Sequence, residues 1–522
     1  MKRCPECRRD YDDSLLYCLD DGSPLLSGPA SDAESVTVAL PRSVVSSSLG
    51  SGISDSGRRA APRSIAVLPF DNMSADPDNE YFCDGLAEEI LNALAKIDEL
   101  KVAARTSSFS FKGKAIDIAE VAARLGVTSV LEGSVRKAGK RLRITAQLIN
   151  AADGYHIWSE RYDRELEDIF DVQDEITLSI VQALKVKLLG DEKAAVLKRH
   201  TVDTEAYELY LRGRFLWNKR TPGSIQEALD SFKASAEKDP GYALAWAGLS
   251  DAYSLLEQYT GAQTNEVLSD ARSAAERALE IDSALAEVHT SMGMVNMKSW
   301  DWAASEDSFR RSFELNPNYP TAHHWYSMLL KALGRYDDML AEITLAHDLD
   351  PLSYVINANM AISFLILERF DSVEEICRKM IDLDPSYGDA HHYLALSYID
   401  QDRSTEAIDL IEEATVLKGR SSEVLGSAGY ILARAGRQDD AHSLLTELEE
   451  NYRNNKAVGQ NLAAVYAGLS DHDKAFAWLE KDFEARSGIL PFVRWFPAFK
   501  PLMGHRRLAD LLRRMNLPLE RS

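Results

Sequence analysis

At 522 residues the chain is longer than a single domain usually is, so two to four domains are expected. Its hydrophobic fraction of 45% and charged fraction of 27% are ordinary for a globular protein. A formal net charge of −23 argues against a non-specific nucleic-acid binder and against attraction to anionic membranes. The start, MKRCPEC, has no apolar core and does not read as a secretory signal. The most apolar helical stretch, MAISFLIL at 360–367, is too short to cross a bilayer. Three of the five cysteines sit in the first 18 residues, and Cys83 and Cys377 are isolated, so no disulfide framework is expected. A cytoplasmic protein with no membrane contact and no specific nucleic acid is the expectation.

The first segment, 1–26, holds Cys4 and Cys7 in a C-x2-C pair and Cys18 ten residues later. Asp21 repeats the short spacing with a carboxylate in the fourth place. A segment this short cannot fold on apolar burial, so a structural zinc held by Cys4, Cys7, Cys18 and Asp21 is expected to replace the missing core. Water, Asp20 or a second chain could complete the shell in place of Asp21. The opening resembles short zinc-ribbon leaders of the form CPxC…YxxC-x-x-DG, in which the half-ribbon is structural. Residues 27–62 are rich in Ser, Gly and Ala and read as a flexible linker.

Residues 63–190 mix strand and helix patterns. SIAVLPF (64–70) reads as a buried strand, EEILNALAKI as a helix and KVAAR (101–105) as a second strand. IDIAEVAARLG (116–126) is a helix stopped by Gly126. A long period-two stretch follows, broken at Ala138-Gly139 and Asp153-Gly154, the signature of hairpin turns. The last helix is DIFDVQDEITLSIVQALKVKL. The order βαβαβββα describes an α+β domain with helices packed on one sheet. Arg136, Lys137, Lys140, Arg141 and Arg143 form a basic cluster on one hairpin, read as a solvated end or, alternatively, an anion site. SIAVLPFDNMS, EYFCDGLAEEI, VLEGSVRKAGKRLRITAQLI and HIWSERYDRELEDIFDVQDEI resemble the TolB-like (FlgO-like) N-terminal domain. That resemblance implies a bacterial regulatory setting and brings no catalytic residues.

From 204 the chain is helix after helix. Pro317, Pro351 and Pro385 each follow Asn or Asp and are 34 residues apart, the tetratricopeptide (TPR) period. Small residues recur at the twentieth position (Ala228, Ala271, Ala407, Ala441, Ala475). A large apolar residue follows four later, as at Phe232, Phe309 and Ile343. Eight units fill 204–487. The unit at 243–285 has nine extra residues around EQYTGAQTNE, read as a longer loop between its helices. Residues 488–522 read as a cap over the last apolar face. The fold class is therefore multidomain: zinc knuckle, α+β TolB-like domain, then an all-α TPR superhelical solenoid.

His289, His323 and His391 each take the fourth position of a repeat and read as packing residues. The chemistry expected of the chain is binding. No Walker A, HExxH or GxSxG motif occurs, and a non-enzymatic adaptor is the expected function. Its groove for a protein partner would be lined by Glu287, Thr290, Met294, His324, Met328, Lys331, His392 and Ile399. The alternative is a sensor, in which the TolB-like domain binds a small ligand and the array relays its occupancy.

Overall fold

The computed structural model describes residues 63–519, except Asp98, Ala115, 189–192, Ala195 and 261–263, together with three two-residue strands nearer the N-terminus. The chain divides into two units, Met1–Ala60 and Ala61–Ser522. In the first, Lys2–Arg3 pairs antiparallel with both Asp10–Tyr11 and Leu26–Ser27. Cys4, Cys7, Cys18 and Asp21, and with them the zinc expectation, lie outside the described residues.

The second unit begins at β1 (Ser64–Val67), every residue of which is buried. Parallel neighbours flank it, β3 (Lys101–Val102) on one side and β4 (Ser129–Ala138) on the other. Parallel pairing needs a crossover. Helix α1 (Glu80–Leu94) supplies one, and α2 (Arg105–Phe109) with α3 (Ile118–Leu125) the other. β4 then turns back through Gly139, whose φ of +59° suits a tight hairpin, into β5 (Arg141–Asn150) and β6 (His156–Glu165). The sheet order is β3-β1-β4-β5-β6, with the short β2 (Asp71–Asn72) also beside β4. Alternation along β1 sends Ile65 and Val67 to the face covered by α1 and α4 (Ile169–Ala183). It sends Ala66 to the face covered by α3. Helices thus cover both faces. KVAAR differs from its reading as a strand, because pairing ends at Val102 and Arg105 opens α2.

Sixteen described helices between 204 and 484 form eight hairpins: α5 (Thr204–Asn218) with α6 (Pro222–Lys238), α7 (Ala243–Thr260) with α8 (Thr264–Ile281), and α9 (Ala286–Lys298) with α10 (Trp302–Leu315). Next come α11 (Pro320–Leu333) with α12 (Tyr336–Leu349), and α13 (Tyr354–Ile366) with α14 (Phe370–Leu383). The last three are α15 (Gly388–Asp400) with α16 (Ser404–Leu417), α17 (Ser422–Arg434) with α18 (Gln438–Arg453), and α19 (Gly459–Gly468) with α20 (His472–Glu484). Second helices begin at 302, 336, 370, 404, 438 and 472, a step of 34 each time. This is a TPR array. Ala228, Ala271, Ala407, Ala441 and Ala475 are fully buried, as are Phe232, Phe309 and Ile343. A Cβ on Gly213 or Gly248 would come within 2.6 Å of the Phe232 ring, so both glycines are needed for the helices to close on it.

The extra nine residues do not make a longer loop. Both α7 and α8 have 18 residues, against 13 in α9 and 14 in α10. Leu255, Leu256 and Tyr259 extend the packed face of α7, which makes helix a better use of the insertion than loop. No described helix is long and apolar enough to cross a membrane.

Candidate functional site

First helices of a TPR array line its inner face, and here that face is occupied by the chain's own C-terminus. After α20 the backbone turns inward at Ser487 and Gly488. The Ser487 hydroxyl and the Gly488 amide donate to Glu257 on α7 (3.0 and 3.1 Å), which also pairs with Lys298 on α9 (3.0 Å). The 3-10 turn Leu490–Arg494 then passes α11. There Arg494 donates to the Leu333 carbonyl and, at 2.5 Å, to that of Pro518. Gly334, at φ +76°, leaves the space this arginine needs, since a Cβ there would sit 2.5 Å from its Cζ. The next turn, Pro497–Leu502, packs on α19, and Lys500 reaches Asp400 (2.6 Å) and Glu368 (3.2 Å). Helix α21 (Arg506–Arg514) covers α20 through Leu508, Leu511 and Leu512, held by Arg507–Asp473 and Arg514–Glu480. Finally Trp302 on α10 donates to the Met515 carbonyl at 2.9 Å. Because Trp300 also meets Phe483 (ring centres 5.5 Å apart), the third hairpin touches the eighth and the coil closes on itself.

Leu490, Val493, Phe499 and Leu502 of this tail are fully buried. Their burial contributes about 6–12 kcal/mol together, at ~1.5–3 kcal/mol per side chain. A free peptide would have to match that and also compete with a covalently attached segment at roughly millimolar effective concentration. The groove expected for a protein partner is therefore taken. Thr290 bonds within its own hairpin, to Ala286 and Ser312, and Met294, His392 and Ile399 are buried. Glu287 lines a different cavity, at the joint with the α+β domain. Met294, His324, Met328 and Lys331 do share one space: a chamber of about 600 Å³ enclosed by α7, the first helices after it, and the tail residues Phe492, Trp495, Phe496 and Phe499.

The joint is built from buried charge. Glu88 on α1 accepts from Arg105 (2.5 Å) and from Arg214 on α5 (3.2 Å). Burial pulls its carboxyl up, but the two guanidiniums outweigh this and hold it below the ordinary glutamate range. Ser107, at the start of α2, donates through amide and hydroxyl to Asp350 (2.9 and 2.6 Å) between α12 and α13. Gly85 meets Leu211 so closely that a Cβ would lie 2.7 Å from it. A cavity of about 1000 Å³ remains between the two parts, walled by Glu88, Arg105 and Gln173 from the domain and by Tyr210, Tyr319 and Asp350 from the array.

The basic cluster is largely neutralised. Lys137 pairs with Glu208, Lys140 with Glu167 (2.9 Å), and Arg143 with Asp163 (2.6 Å). Arg136 donates to the Met73 carbonyl, and Arg141 stands opposite Glu165. Arg136, Lys140, Arg141 and Arg143 are exposed, whereas Lys137 is half-buried against Glu208 and the Phe82 ring. The repeat histidines pack: His323 stacks on Phe313 at 4.5 Å and bonds Glu342, and His289 bonds the Ser283 carbonyl. His391 is buried beside the Tyr387 carbonyl. Among the described residues no three His, Cys, Asp or Glu side chains converge so as to hold a metal ion. Sequence reasoning missed Glu88, Arg214, Arg220 and the inward course of the tail. The only signal available was the density of aromatics in LPFVRWFPAFKPL, far above what a cap requires.

Residues 61–179 match the family described as the second domain of HilA/YgeH-like transcriptional regulators. The chain is 46% identical over 236 residues to a putative adenylate cyclase 3 of Rhizobium meliloti, a match covering 45% of this chain. It spans 40% of that relative's length. Similar solved structures include Pseudomonas aeruginosa PilF, with 19% identity and TM-score 0.31 over 39% of this chain and 92% of that one. A TPR protein from Parabacteroides merdae gives 16% identity and TM-score 0.35 over 50% and 98%.

Proposed function

We propose that the chain is a non-enzymatic adaptor in a bacterial regulatory or signalling context. The closed coil acts as a rigid mount, and the α+β domain, TolB-like in its motifs, offers the partner surface. The observation that carries this reading is the open sheet edge. β6 ends the sheet, and its outer edge is unpaired among the described residues. Tyr155 and Ile157 stand exposed at its start (75% and 41%), beside an alternation of charges. An exposed edge can accept a strand from another protein, with side chains selecting the partner. The charges on β6 guard against indiscriminate pairing. A structural zinc at Cys4, Cys7, Cys18 and Asp21 belongs to the same proposal, as does a cytoplasmic location. Kinship with a segment of a putative cyclase and with a domain of transcriptional regulators supports the signalling context.

The test is affinity capture with the full chain and with the Tyr155→Asp/Ile157→Lys double variant. Recovery of the main partner should fall at least tenfold, with circular dichroism and melting temperature unchanged, because both side chains are exposed. Undiminished capture by the folded variant would refute the edge as the docking surface.

The joint cavity favours a second reading, in which a small molecule held between domain and array alters how firmly the two are fastened. Its volume of about 1000 Å³ lies at the upper end of what ligand sites use.

A further inference from the structure

The chamber under the tail carries positive charge that the protein does not neutralise. Lys331 on α11 is 1% exposed. Its ammonium donates to the Asn359 side chain (3.1 Å) and lies 5.0 Å from the Trp495 ring centre, and it pairs with no carboxylate among the described residues. Burial pulls it down to about 7. Arg220, in the turn between α5 and α6, stacks on Trp217 at 3.5 Å and likewise forms no ion pair among the described residues. Asp251, which acts on it through space, instead accepts a hydrogen bond from Ser291 at 2.6 Å. His324, also on the chamber wall, lies within electrostatic reach of both cations and has its Nε2 unpartnered among the described residues. Burial, helped by Lys331 and Arg220, keeps this imidazole neutral.

The two carboxylates on the wall are already engaged, Glu257 by Lys298 and Glu423 by Lys418. An uncompensated buried ammonium is destabilising, because desolvation exceeds what one amide and one ring return. Nothing in helix packing calls for lysine here. Polar groups such as Asn451, Gln460 and Asn461 also line the wall, but one part of it is apolar and adaptable, with Met294, Met328 and Trp325 beside a space of about 600 Å³, the size of a small-molecule site.

We propose that this chamber binds a small organic anion, a carboxylate or phosphate group on an apolar body. Lys331 and Arg220 are its charge contacts, and Met294, Met328 and Trp325 surround the body. The site stands apart from the adaptor reading, since it lies in the array's interior and not at the sheet edge.

The experiment titrates the full chain with 8-anilinonaphthalene-1-sulfonate, an aromatic anion, and with N-phenyl-1-naphthylamine, a close neutral analogue. The anion should bind at one site per chain and at least tenfold more tightly than the neutral probe. Lys331→Met should weaken the anion at least tenfold, leave the neutral probe unchanged, and raise the melting temperature by removing an unpaired buried charge. Equal affinity of the two probes would overturn the proposal, as would full anion binding by Lys331→Met. A fall in melting temperature for this variant would show that the lysine serves packing, and would overturn its role as a contact. Arg220→Gln is the second arm: a tenfold loss of the anion alone supports the site, and no loss removes it.

Discussion

Replacing Glu88 with alanine is expected to destabilise the protein by about 3–5 kcal/mol, the usual effect of removing one partner from a buried ion pair. The carboxylate is 5% exposed and stands between Arg105 of the domain and Arg214 of the array. Its loss leaves two guanidiniums facing each other at the joint with no carboxylate between them. Chemical denaturation should show the whole loss at neutral pH. The acid limb provides a second check. The carboxyl is held below its ordinary value of 4.5, so its stabilisation is complete above that value and disappears as pH falls through the lower folded one. Stability of the Glu88→Ala variant should therefore fall less steeply on acidification than that of the parent. An effect under 1 kcal/mol would mean that the joint is held by its apolar contacts, such as Gly85 against Leu211, and not by this charge cluster.

Phe499→Ala is expected to cost a similar amount, about 3–5 kcal/mol, as large-to-small changes at fully buried aromatics do. Its distribution matters more than its size. In an open solenoid each repeat touches only its neighbours, and a lesion loosens one end. Here the tail bridges α7, α9, α11 and α19, and hairpin three meets hairpin eight through Trp300 and Phe483. Hydrogen exchange should therefore rise together in α9 and α19, which are far apart in sequence, and thermal unfolding should stay a single transition. Loosening confined to α19–α20 would contradict a closed coil.

The repeat array was legible in the residues because its causes are local. A small residue at 228, 407 or 441 and a large one four later are requirements of two helices in contact, within a repeat of 34 residues. The α+β order was legible for the same reason: Gly126, Gly139 and Gly154 all adopt the positive φ that stops a helix or turns a hairpin. Even the histidines resolved correctly, because a position shared by several repeats has a shared packing role.

What failed were inferences about which surfaces stay open. Met294 and Lys331 sit where an inner face should be, yet burial depends on a segment some 160 residues or more further on. Nothing in either stretch records the other. Asp350 has the same lesson at smaller scale. Its place before Pro351 marks a helix end, and that reading is right. The carboxylate also receives Ser107 from the domain, 243 residues earlier. Local pattern determines which elements form, since hydrogen bonding and side-chain period act within a few residues. How tightly the coil winds, and therefore whether its groove is empty or filled, depends on the sum of small angles between hairpins and on where the tail finds apolar surface. Those are contacts between distant residues, and only the folded chain brings them together.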